Sequence, residues 1–273
     1  MERMKFPYRL AIFDMDDTLL GPDRQLSGEN AAALRRLRAE GAEVVIASGR
    51  HASNITEFEH ALGFQGWIIS AGGAVVSHSE TGEVLYEKTV PQDLGLELFR
   101  RGCEQKISLI GYHRSGIFCD APSEWVSLYT RRTHQLPIAN IPELIGTGLQ
   151  KLIWTAHRDR ISQFTPELQR EFEDRLYIVS TEHEMLEFLH PQTNKARAAQ
   201  ALVAKLGVPR ECVLAFGDGN NDVPLLEWAG MSVAMAHGRE SAKRAAKRIS
   251  PEGLAATAVA RSLEEIFPQS LAQ

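Results

Sequence analysis

Between residues 9 and 70 three short apolar runs alternate with two longer helical segments. The runs occupy residues 9–14, 44–47 and 67–70. Ser27 is placed to cap a helix over about residues 29–40, with Leu34 and Leu37 on its apolar side and Gly41 as its stop. A second helix is expected after Arg50, running through His60. This strand, helix, strand, helix, strand rhythm is that of a parallel sheet with helices on both faces, so the chain is expected to be α/β. In such sheets ligands bind beyond the carboxyl ends of the strands.

Aspartates stand at those ends. The first run breaks off as Asp14-Met15-Asp16-Asp17-Thr18-Leu19-Leu20, and a later one as Gly217-Asp218-Gly219-Asn220-Asn221-Asp222. If the two turns meet, Asp14, Asp16, Asp218 and Asp222 crowd into one site. Like charges that close raise one another's pKa and destabilise the fold unless a cation lies among them. An all-oxygen donor set suits a hard ion that keeps some waters, Mg²⁺ before Zn²⁺. In an extended segment residues i and i+2 face the same side, so Asp14 and Asp16 are expected side by side with Met15 turned away. One carboxylate can then attack phosphorus, and the other can protonate the leaving oxygen and later activate water. In the second segment the glycines allow close backbone approach or positive φ, and Pro224 suits the first turn of a following helix. A calcium loop of the EF-hand kind is excluded by the missing Glu at its twelfth position.

Two further positions carry weight by place. Ser48-Gly49 ends the second strand and is expected to open a helix, where a hydroxyl and backbone N–H groups make an anion site. Lys195 is expected in the first turn of a helix over residues 195–206, capped by Thr193. A cation there opposes the helix dipole unless it neutralises a bound phosphate and a neighbouring Asp.

The stretch from residue 74 to about 189 reads differently. Its strand candidates (82–89, 107–112, 116–119, 151–155, 177–180, 185–189) alternate more and are punctuated by prolines, as in an inserted α+β domain. The parallel pattern then resumes, with strands at 212–216 and 231–234 and a helix at 223–228. A formal net charge of -5 argues against a nucleic-acid or anionic-membrane partner, so charge for a phosphate must come locally. The three cysteines, Cys103, Cys119 and Cys212, are far apart and read as reduced packing residues of a cytoplasmic protein. No apolar run approaches a membrane span. The nine histidines, His134 among them, show no zinc-type spacing, and the basic run 239–248 reads as a solvated helix face.

Together these segments resemble the haloacid-dehalogenase-like superfamily of phosphohydrolases, and within it the Cof-type subfamily. DMDDTLL at 14–20 resembles the first motif, ASGR at 47–50 the second, Lys195 the third and GDGNND at 217–222 the fourth. The resemblance covers nearly the whole chain. It implies a Rossmann-like core from residues 1–80 and 190–273 and an inserted, mobile α+β cap at 81–189 over a Mg²⁺ site. It also implies that Asp14 is the nucleophile, forming a phosphoaspartate. Asp16 would be the general acid and base, its main-chain carbonyl on Mg²⁺. Asp218 would ligate the metal, and Asp222 would support the metal or hold Lys195. Met15, Ser48, Gly49, Lys195 and Asn221 would hold the phosphate. Cof-type chains commonly end the third strand in Asn-Gly-Ala, whereas this one reads Ala71-Gly72-Gly73-Ala74.

The expected activity is hydrolysis of small phosphomonoesters, sugar phosphates foremost. A phosphosugar mutase or a sugar-phosphoglycerate phosphatase would share the fold, and a non-catalytic phosphate binder would not need Asp16. A receiver domain is about half this length and lacks the insert. Leaving-group contacts are expected in the insert, among His113, Arg114, Trp125, Arg131, Arg132 and Glu182. Oligomeric state is not written in the sequence.

Overall fold

The computed structural model describes residues 6–133 and 135–268, so His134 lies outside the described residues. The chain forms two units, one from the segments up to Leu85 and from Asn194 onward, the other from Tyr86–Thr193. The first unit opens with β1 (Leu10–Asp14), α1 (Gly28–Ala39), β2 (Glu43–Ala47), α2 (Ala52–Leu62), β3 (Trp67–Ser70), β4 (Val75–His78) and the start of β5 (Val84–Glu87), whose last two residues belong to the second unit. Sequence reading passed over β4, because the turn Ala71–Gly73 separates it from β3 by only a few residues. The caps are local chemistry. Ser27 accepts from Asn30 N at the start of α1, and Gly63, at φ 80°, closes α2 in the left-handed conformation that glycine takes at least cost.

The second unit contains α3 (Gln92–Glu104), β6 (Ser108–His113), β7 (Gly116–Cys119), α4 (Glu124–Thr133), β8 (Ile138–Ala139), α5 (Ile141–Leu144), β9 (Lys151–Thr155), α6 (Arg158–Glu171), β10 (Tyr177–Glu182) and β11 (Met185–Leu189). Its sheet runs β10-β11-β9-β6-β7-β8, antiparallel except where β8 joins β7. Leu109, Leu152, Trp154, Leu186 and Phe188 pack on one face with Leu94 and Leu98 of α3, Ile161 and Leu168 of α6, and Phe172 just beyond it. By strand alternation the opposite face carries Tyr112, Lys151 and Glu187.

The first unit resumes with α7 (Lys195–Leu206), β12 (Val213–Gly217), α8 (Val223–Trp228), β13 (Met231–Ala234), α9 (Glu240–Ala245), β14 (Arg248–Ile249) and α10 (Ala258–Ile266). The basic run is thus helical only in part, and Arg248 begins an edge strand. The sheet order is β14-β13-β12-β1-β2-β3-β4-β5, parallel from β14 through β3, with β4 antiparallel to β3. Every residue of β1 is buried, as a central strand covered on both faces requires. Ala11, Phe13, Val44, Ile46 and Phe216 share one core with Leu34 and Leu37 of α1 and Val259 and Leu263 of α10. Phe13 pairs with Phe216, and Asp14 with Ala47. This register brings the carboxyl ends of β1, β2 and β12 level, so the segments after Asp14, Ala47 and Gly217 open onto one edge. Among the described residues no helix is long and apolar enough to cross a membrane. The thiols are free, and Cys103 is exposed rather than packed.

Candidate active site

Asp14 ends β1 and is buried. The chain then leaves the strand in the tight turn Met15–Leu19, with Asp17 at φ 57° and Leu20 N donating to Met15 O over 2.9 Å. The strand therefore ends at Asp14, although Asp16 keeps extended angles at φ -74° and ψ 133°. The Asp16 carboxylate accepts from Arg50, Nε to Oδ2 at 2.9 Å and Nη2 to Oδ1 at 2.5 Å. Thr18, buried in the same turn, donates to Asp218 Oδ1 at 3.2 Å. His237 Nε2 donates to Asp17 O at 2.7 Å.

The loop after β12 is built around Asp222, whose Oδ2 accepts from Asp218 N at 3.0 Å and Gly219 N at 2.9 Å. Close approach, not positive φ, is what the glycines supply. A Cβ on Gly217 would lie 2.5 Å from Asp222 Cβ, and one on Gly219 2.5 Å from Asn221 Oδ1. Arg239 N donates to Asp218 O at 2.8 Å and ties the following loop to this one. Asn221 is half-buried beside Asp222.

Lys195 is the first residue of α7 and is fully buried. Its cap is Asn194, whose Oδ1 accepts from Arg197 N at 2.8 Å, and not Thr193, whose N donates to His190 O one turn earlier. The Lys195 ammonium donates to Asp14 Oδ1 and, over 2.5 Å, to Asp222 Oδ1. The Ala71–Gly73 turn sets where α7 begins. Gly73 has φ 100°, and a Cβ there would lie 2.4 Å from Asn194 C. Ser48 is buried; its N donates to Ile69 O at 2.9 Å and its Oγ accepts from Arg50 N at 3.2 Å. It does not cap α2; His51 does, accepting from Ser53 N. Gly49 lies between Ser48 and Arg50 in this loop.

The geometry thus gathers Asp14, Asp218, Asp222 and Lys195, and leaves the Asp16 carboxylate with Arg50. Oxygens of Asp14, Asp218 and Asp222 lie within 4.8 Å of one another, the one such acidic group found among the described residues. Burial pushes the Asp14 pKa well up, Asp222 and Asp218 add to the rise, and Lys195 opposes it. Asp218 is raised to about 6 by burial and then by Asp222, again against Lys195. Burial works against the Lys195 ammonium, but Asp14 and Asp222 outweigh it and its pKa rises. Three carboxylates face one ammonium, and a divalent cation would balance them. The donor set is all oxygen, which fits Mg²⁺. Both Asp222 oxygens are already engaged, so Asp14 and Asp218 are the side chains best placed to hold it.

The sequence reading did not single out Thr18 or His237. Thr18 lies inside the first motif, which is a signal; His237 meets Asp17 only through the fold. In the second unit, His113 Nδ1 lies 2.6 Å from Ser115 Oγ, Arg114 pairs with Glu87 at 2.5 Å, and Arg132 pairs with Glu184 at 3.0 Å and Glu182 at 3.6 Å. Trp125 is half-buried and Arg131 exposed.

A family model described as haloacid dehalogenase-like hydrolase matches residues 11–263. The "HMP-PP phosphatase" of Serratia proteamaculans is 28% identical over 230 residues, 84% of each chain. "Putative phosphatase YxeH" of Bacillus subtilis is 27% identical, covering 84% of this chain and 88% of its own. Among solved structures, a haloacid dehalogenase-like hydrolase from Bacteroides thetaiotaomicron superposes with a TM-score of 0.87 at 26% identity, over 95% of this chain and 100% of that one.

Proposed function

The chain belongs to the haloacid dehalogenase-like hydrolases, and from that membership we propose a Mg²⁺-dependent phosphatase that forms a phosphoaspartate on Asp14. As a phosphatase of the Cof type it is a phosphoric monoester hydrolase. The proposed substrates are small phosphorylated metabolites, sugar phosphates foremost. The observation that carries this reading is the buried meeting of Asp14, Asp218 and Asp222 around Lys195.

In this reading one Asp14 oxygen is held by Lys195 and the other attacks phosphorus. The P–O(ester) bond breaks as the Asp14–P bond forms, and Asp16 gives its proton to the leaving oxygen. Water then bonds to phosphorus, Asp16 takes the water's proton, and the Asp14–P bond breaks. Lys195 keeps the nucleophile oriented and carries positive charge toward the phosphoryl oxygens. Ser48, Gly49, Asn221 and the Met15 main chain border the same strand ends and are proposed to hold the phosphate. Mg²⁺, when bound by Asp14, Asp218 and the Asp16 main-chain carbonyl, supplies charge neutralisation at the phosphoryl group. Asp222 acts by holding Lys195 and the loop N–H groups.

The test is phosphate release from a panel of phosphomonoesters with Mg²⁺ and with a chelator. Metal-dependent release from sugar phosphates is expected; no release from any ester by folded protein would overturn the reading. The Serratia relative is an HMP-PP phosphatase by name, so HMP-PP joins the panel as well. Transfer of the phosphoryl group to a second hydroxyl, with none to water, would instead establish a mutase.

A further inference from the structure

We propose that Arg50 is a positioning residue that holds the Asp16 carboxylate for proton transfer to the leaving oxygen; this rests on the phosphatase reading above. Both Asp16 oxygens accept from the Arg50 fork, Oδ2 from Nε at 2.9 Å and Oδ1 from Nη2 at 2.5 Å. The two ends of the pair are anchored very differently. The Arg50 side chain is 16% exposed and the Asp16 side chain 42%. Arg50 N donates to Ser48 Oγ at 3.2 Å, and Arg50 O accepts from Ala71 N at 2.8 Å. Ser48 is itself bound at both ends, its N to Ile69 O at 2.9 Å and its O to Gly72 N at 2.9 Å. The guanidinium therefore stands on a loop stitched to the end of β3. Asp16 stands in the turn beyond β1, at φ -74° and ψ 133°, next to the left-handed Asp17.

An exposed aspartate on a turn samples several rotamers, and a planar fork that grips both oxygens removes that freedom. The grip leaves the chemistry open. The fork takes one lone pair on each oxygen, so each oxygen keeps a second lone pair with which to carry a proton to an ester oxygen or take one from water. The proton accounting is that of the reaction above: Asp16 O–H to the leaving oxygen as P–O breaks, then water's proton back to Asp16 as the phosphoaspartate is cleaved. Arg50 gives up no proton and forms no covalent bond.

The rival role for Arg50 is a direct grip on the phosphoryl group, and the leaving group separates the two. A poor alkoxide leaving group needs the proton from Asp16, whereas 4-nitrophenolate leaves without it. kcat/KM reports every step up to loss of the leaving group, so hydrolysis of the phosphoaspartate does not blur the comparison. The experiment measures kcat/KM for an alkyl phosphate and for 4-nitrophenyl phosphate with native protein, Arg50→Ala and Arg50→Lys, in Mg²⁺. Folding of each variant is checked by circular dichroism. Arg50→Ala is expected to lower the alkyl value on the order of 10²-fold and the aryl value by less than about 3-fold. Arg50→Lys, a single-point contact, is expected to fall between and keeps the test alive if the alanine variant does not fold. Equal losses on both esters, or no loss on either, would overturn the inference while leaving the phosphatase reading intact. Absence of turnover by native protein on both esters would remove that reading and this inference with it.

Discussion

Two fully buried lysines, one in each unit, differ in the company they keep. Lys151 on β9 meets Glu187 on β11 at 2.7 Å, with the Tyr112 ring 5.2 Å from its ammonium. Lys195 at the head of α7 meets Asp14 and Asp222, and Asp218 adds a third carboxylate to the group. The first arrangement matches one cation to one anion across neighbouring strands, as a structural pair does. The second gathers three carboxylates about one ammonium, a surplus that proton uptake or a bound cation relieves. Burial alone therefore does not distinguish a structural lysine from a functional one; charge imbalance does.

That contrast can be broken in order of expected effect. Asp14→Asn should lower phosphate release on the order of 10⁴-fold or more while the melting temperature in chelator stays level or rises, because one of three crowded carboxylates is gone. A turnover assay beside a thermal melt reads both, and retained turnover would remove Asp14 as nucleophile. Lys151→Met removes the cation beside buried Glu187 and should cost about 3 kcal/mol in denaturant unfolding, with Glu187→Leu added on top restoring most of it. If Lys151→Met is neutral, the pair is not a structural one. Mg²⁺ in large excess over its dissociation constant should stabilise the native protein by about 2 kcal/mol relative to chelator. Asp218→Asn should abolish that gain, and a gain that persists would place the ion elsewhere.

Glu59 on α2 sharpens the comparison further. It is fully buried, neither oxygen makes a well-formed hydrogen bond among the described residues, and burial raises its pKa to about 7. Ser79 and Arg38 pull it back, and Glu43 adds to the rise. The unfolded group titrates near 4.5. A raised folded pKa means the fold holds the proton more tightly, so stability falls as pH rises from about 4.5 to 7 and is flat above. Glu59→Gln should therefore gain about 3 kcal/mol at pH 8 and nothing below pH 4.5. Unfolding at the two pH values checks it, and an equal gain at both would assign the effect to packing.

Much of the first unit was legible because it rests on local rules. Strands at 67–70 and 231–234 and the helix at 223–228 follow from apolar runs bounded by Gly, Ser and Pro. Ser27 and Gly207 end their helices by side-chain and backbone chemistry that neighbouring residues already specify. The partner of Asp16 was not legible in this way. Arg50 is 34 residues away in sequence, and nothing in DMDDT names it as the partner. Thr193 and Asn194 are both good caps by type, and the choice fell to Asn194 because the Gly73 turn packs against its peptide.

Residue type and local pattern already specify that carboxylates stand at the carboxyl ends of buried parallel strands, that a lysine opens a helix, and that a second unit interrupts the first. These are consequences of periodicity, capping and residue type, which act over a few residues. The long-range fold selects the partners: Asp14 and Asp222 on Lys195, Asp16 on Arg50, Thr18 on Asp218. Those pairings depend on the register of β1 with β2 and β12 and on the path of two turns. Ångström differences in that path select among partners that the residue types leave equally available.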